Sequence, residues 1–136
     1  MKNVDEFCKL ELIDGIVHAR YVDDVYIELS TAKAIVKERK RITNNKPHSV
    51  IVTGGPISMS PEARKFALTD ESNALIRGWA IVTEENLLKI TFFKLLFFTQ
   101  SRKHKMRFFS DSETGLKWLK SQEKEFEGAY IKKQLI

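Results

Sequence analysis

The chain has 136 residues, enough for one domain with a sizeable core. Its 43% hydrophobic and 30% charged residues exclude wholesale disorder. A single cysteine, Cys8, excludes an internal disulfide framework, and the net charge of +5 leaves an anionic partner open.

The N-terminus, MKNVDEFCKLEL, lacks the apolar core of a signal peptide. The longest apolar run, Leu87 to Phe98, is too short to span a bilayer and carries Lys89 and Lys94. With one thiol and no leader, the expectation is a soluble, cytoplasmic protein without a membrane span. The charge is uneven: residues 1–30 carry three basic against seven acidic side chains, and the remainder carries 20 against 11. Basic residues gather at Lys37 to Arg41 (KERKR) and at Arg102 to Arg107 (RKHKMR).

Phe7 to Ile13 and Ile16 to Tyr21 flank Asp14-Gly15, a strong hairpin signal because a type I′ turn needs positive φ at both central residues. After Asp23-Asp24, the segment Val25-Tyr26-Ile27 leads into a helix from about Leu29 to Thr43. Its apolar stripe is Ala32, Ile35, Val36 and Ile42, and Lys33, Lys37, Glu38, Lys40 and Arg41 face water. Asn44-Asn45-Lys46-Pro47 stops it. His48 to Thr53 (HSVIVT) is a short apolar run that suits an interior strand.

Residues Gly54 to Met59 read as a loop. Ser60-Pro61-Glu62 then opens a helix with serine at the N-cap and proline at N1, its inner face formed by Ala63, Phe66, Ala67 and Ala74. Arg77 to Thr83 is a second interior strand. Thr83-Glu84-Glu85 starts an aromatic helix, Met106 to Phe109 is a further strand, and Ser110 to Glu113 is a capping box before a last helix. Gly128 ends that helix and leaves 128–136 as a tail after a single domain over 1–127. Alternating strands and helices after a hairpin predict an α/β fold: a mixed, largely parallel sheet covered by about four helices.

The closing pattern MRFFSDSETGLKWLKSQ, together with Ala32-Lys33 to Pro47 and Ser60 to Arg64, resembles the SpoIIAA-like (STAS-related) bacterial domains and their uncharacterised stand-alone members. That resemblance covers roughly residues 10 to 122 and rests on caps and core positions, so it implies fold before function. In anti-sigma-factor antagonists of this fold, a serine at the start of the helix after the central strand is phosphorylated. The corresponding positions here are Ser58 and Ser60, without the antagonists' Asp-Ser-(Ser/Thr)-Gly pattern. A phosphate there would meet free N–H groups, but an N-cap alone explains Ser60.

Chemistry is sparse. His18, His48 and His104 stand apart at no ligand spacing, no nucleophile elbow or P-loop occurs, and Gly54-Gly55 suits a turn. The expectation is a non-enzyme without metal or cofactor. In the aromatic helix, Leu87, Leu88, Leu95 and Phe98 face the core, whereas Ile90, Phe93 and Phe97 fall on the arc of Asn86, Lys89, Lys94 and Gln100 and need a cover. Three readings follow. The first is a STAS-like regulatory or protein-interaction module, with a homo-oligomer (a dimer) or another protein on Ile90, Phe93 and Phe97. The second is a domain that binds a small apolar or lipid-like ligand. The last is nucleic-acid contact through Arg39, Arg41, Arg102, Lys103 and Lys105, ranked lowest because no nucleic-acid motif accompanies the charge.

Overall fold

The computed structural model describes residues 3–55, 57–82 and 105–135; side chains are described for all of these except 105 and 125–135. The predicted aromatic helix, with Ile90, Phe93 and Phe97, lies outside the described residues, as do Arg102 and Lys103.

The opening hairpin forms as its turn chemistry requires. Strands β1 (Cys8–Ile13) and β2 (Ile16–Tyr21) pair antiparallel in the register Cys8↔Tyr21, and Asp14 and Gly15 take φ of 51° and 78°. A three-residue strand, β3 (Val25–Ile27), precedes helix α1 (Leu29–Ile42). Thr43 caps α1, and Asn44 and Asn45 turn the chain through left-handed φ into β4 (His48–Gly54).

The stretch expected to be a loop contains a strand, β5 (Ile57–Met59), which pairs parallel with β3. Ser58 therefore sits in a strand opposite Tyr26 and faces solvent. The Ser60 hydroxyl accepts a hydrogen bond from the Ala63 N–H at 3.1 Å and caps α2 (Pro61–Ala67) as its spacing predicts. That helix is shorter than expected. Leu68 ends it and Thr69 caps the separate short helix α3 (Asp70–Asn73), so Ala74 is a C-cap residue and not part of the inner face of α2.

Strands β6 (Ile76–Val82) and β7 (Lys105–Phe109) complete a five-stranded sheet in the order β1-β2-β4-β6-β7, parallel except for the hairpin. The last helix, α4 (Ser112–Leu135), is capped by Asp111, not Ser110: the Asp111 carboxylate accepts from the Thr114 N–H at 2.8 Å, which holds that carboxyl below the usual carboxylate range. It also runs through Gly128, so 128–135 is helix and not an irregular tail. A lone helix glycine costs only about 1 kcal/mol against alanine, and no second stop signal accompanies it.

Alternation along the strands divides the sheet into two apolar faces. Ile16, Ile51 and Ala80 pack with Leu119 of α4. Val17, Ala19, Val50, Val52 and Ile81 point the other way, toward Ile35 of α1 and Ala63 of α2. The α4 face is sealed by a polar tie: Ser49 Oγ donates to Glu123 at 2.8 Å, and Arg77 Nη1 donates to the same carboxylate at 2.7 Å. Gly115 lets α4 approach closely, since a Cβ there would meet Ile51 and Phe109 at 3.4 Å.

Candidate functional site

On the α1/α2 face the packing leaves a cavity of about 520 Å³. Sites for small molecules typically measure roughly 300–1,000 Å³ and are mostly apolar with a few placed polar groups. The sheet contributes Val17, Ala19, Val50 and Ile81 to its wall, and the helices contribute Ile35 and Phe66. One end is lined by Asp23, Thr53, Gly54 and Gly55, which stand where β2 and β4 finish.

The glycines at that end are required by the backbone. Gly54 has φ +82°, and a Cβ on it would lie 2.0 Å from the carbonyl oxygen of Tyr21. Any side chain would push β2 and β4 apart. The next residue, Gly55 at φ +89°, donates its N–H to that same oxygen at 3.3 Å. These glycines, which the sequence offered as a turn, thus shape an end of the cavity.

At the other end of α1, Arg39 lines the cavity while only 5% exposed. Nη1 donates to the Ser72 carbonyl and Nη2 to the Ala74 carbonyl, both at 2.9 Å. Nε is buried without a hydrogen-bond partner. Among the described residues no carboxylate pairs with this guanidinium, and burial pushes its pKa down to about 10. Leaving a buried charge unpaired costs several kcal/mol. The turn that supplies the two carbonyls is itself strained, because Leu75 adopts φ 72°. For a side chain of that size the left-handed region costs roughly 1–2 kcal/mol.

Three further buried titratable groups stand on or behind the sheet, and only Tyr21 lines the cavity. Tyr21 is hydrogen-bonded to Cys8, its strand partner. Burial pushes the Cys8 thiol up to about 12 and the Tyr21 hydroxyl higher still, so both stay neutral. Cys8 is a core side chain and not a reactive thiol. His48, only 2% exposed, places the proton on Nδ1 against the Lys46 carbonyl at 2.8 Å, and burial lowers its pKa.

Arg39 is therefore not the surface anion contact that the KERKR run suggested. It follows Ile35 and Val36 and precedes Ile42 at helical spacing, which places it on the apolar stripe of α1. That position was readable, but the run of charges around it hid the inward turn. Arg41 does face water, with its Nε donating to Glu38 Oε2 at 3.0 Å. Lys105 begins β7 opposite Gly78. Arg39 is thus absent from the exposed face of α1, which carries Lys33, Lys37 and Arg41. Ser58 and Ser60 stand on the cavity's side of the molecule only through their neighbours Ile57 and Met59, which line it.

Residues 10–123 match the family model described as a domain of unknown function, DUF7793. The chain belongs to that family. No curated protein matches the sequence. Among solved structures, the DUF7793 chain is similar to an uncharacterized protein of the DUF3478 family from Shewanella loihica PV-4, which has a SpoIIAA-like fold. The two share 12% identity with a TM-score of 0.58, over 82% of this chain and 91% of that one. At that identity the likeness establishes the SpoIIAA-like fold predicted from the sequence and carries no function. No helix among the described residues of the DUF7793 domain is long and apolar enough to cross a membrane.

Proposed function

We propose that this DUF7793 domain is a non-catalytic binding module that takes a small, largely apolar ligand between its sheet and helices α1 and α2. The cavity of about 520 Å³ carries the reading. A core of this size normally packs to a density that leaves no void larger than a water molecule, and empty volume on one face of a sheet costs contacts along its whole lining. Largely apolar walls with Tyr21 and Arg39 as fixed polar points match the pattern of a ligand site.

A protein-interaction role through Ile90, Phe93 and Phe97 rests on residues outside the described part of the chain, and no observation among the described residues favours it. Ligand binding comes first for that reason.

The test is calorimetric titration of the protein with 1-decanol, a neutral apolar probe, alongside native mass spectrometry of the purified protein. One decanol per chain with a micromolar or tighter constant supports the proposal. No heat, no thermal stabilisation and no bound mass would remove it.

A further inference from the structure

The cavity's chemistry also bears on the kind of ligand, if the binding reading above holds. Arg39 is a full positive charge more than nine-tenths buried on an apolar wall. Each terminal nitrogen donates one N–H to a neutral carbonyl, which orients the guanidinium but does not neutralise it. Its Nε is buried without a hydrogen-bond partner among the described residues. Evolution of a structural tie alone would be served by a neutral donor, and an unpaired buried cation is disfavoured unless something brings the opposite charge.

The surrounding groups sharpen this. Tyr21 and His48 both interact electrostatically with Arg39, and burial keeps the Tyr21 hydroxyl and the His48 ring neutral, so neither supplies a negative charge. Among the described lining residues the one carboxylate, Asp23, is exposed and follows the C-terminal end of β2. Arg39 is ten residues along α1 from Leu29, about 15 Å at 1.5 Å per residue, and reaches the turn that precedes β6. Charge at the two ends of the cavity is therefore segregated: cation inside, carboxylate at the strand ends, and apolar side chains between.

We infer that the ligand is an anionic amphiphile, an apolar chain ending in a carboxylate, whose head lies against the Arg39 side chain where it lines the cavity while the chain lies between the sheet and α1/α2. A guanidinium suits this task because it stays charged when buried and matches a carboxylate in plane. The strained turn at Leu75 then has a role, since it aims the Ser72 and Ala74 carbonyls that hold the guanidinium in place.

Decanoate and 1-decanol, alike in chain and different in head charge, separate this inference from the cavity reading. At pH 8 the wild-type protein should bind decanoate at least tenfold more tightly than decanol. Arg39→Met should lose that tenfold preference and keep its decanol affinity within about twofold, with Arg39→Lys intermediate. Should Arg39→Met fail to fold, carbon-13 NMR of carboxyl-labelled decanoate on the wild-type protein decides: the bound carboxyl should titrate below its free value. Equal wild-type affinities, an unshifted bound carboxyl, or parallel loss of both probes in folded Arg39→Met would overturn the anionic head and leave the cavity reading standing. Binding of neither probe would overturn both.

Discussion

The two faces of the central sheet are built from alternate residues of the same strands and end up packed very differently. On the α4 face, Ile16, Ile51, Ala80 and Leu119 are each no more than 1% exposed, and Ser49, Glu123 and Arg77 close the edge with hydrogen bonds. On the α1/α2 face, Val17 and Val50 are equally buried, yet the helices do not fill the space above them. One face spends its residues on stability. The other keeps volume and a buried cation that stability alone does not explain.

That contrast can be broken most forcefully at Leu119. It is fully buried against the sheet, so Leu119→Ala should cost about 2–5 kcal/mol, read as a lower urea midpoint at unchanged slope. A loss under about 1 kcal/mol would mean that the α4 face is no better packed than its opposite.

A matched pair of enlargements comes next. Ala80 is 0% exposed beneath α4, 3.5 Å from where a Gly115 Cβ would stand, so Ala80→Leu should overpack and cost about 1–3 kcal/mol. Ala32 lines the cavity from α1, and Ala32→Leu should change stability by less than about 1 kcal/mol while weakening decanol binding. Equal destabilisation by the two in chemical unfolding would erase the distinction between the faces.

How far the sequence anticipates these faces depends on the range of the interactions. The β1–β2 turn at Asp14-Gly15 and the Ser60 cap are decided within four residues, and both form as their local chemistry dictates. The strands β4 and β6 are legible from their unbroken apolar runs. The β3–β5 pair was not, because each strand is three residues long, too short for a period, and α1 separates the partners in the chain. The break between α2 and α3 has no local signal because Leu68 and Thr69 continue an acceptable helical pattern; Thr69 then leaves it to accept from Ser72 N–H. At the candidate site, Gly54 and Gly55 were visible as a turn and Arg39 as a charge. The cavity between them is a product of how helices rest on a sheet, which no local pattern encodes.

The smallest effect comes from the edge where the faces meet. His48 interacts electrostatically with Arg39 from one side and with Glu123 and Arg77 from the other, and its ring is buried neutral. Its folded pKa lies below the ordinary 6.5, so the unfolded chain takes up the proton first as pH falls. Its contribution to stability is therefore complete above about pH 6.5 and is lost as pH falls through the lower folded value. His48→Gln should flatten the dependence of unfolding free energy on pH between 7.5 and 5. An unchanged slope would show that His48 does not titrate differently on unfolding.

The central claim, that the α1/α2 face holds a ligand and the α4 face does not, has a direct optical test. The chain has two tryptophans: Trp79 lines the cavity, and Trp118 packs at a tilt against Phe109 on the far side, ring centroids 5.7 Å apart. The variants Trp118→Phe and Trp79→Phe leave one reporter for each face, and 11-bromo-1-undecanol quenches indole emission on contact. Saturable quenching of Trp79 with Trp118 unaffected is the predicted result. Equal quenching of both, or of neither, would contradict it.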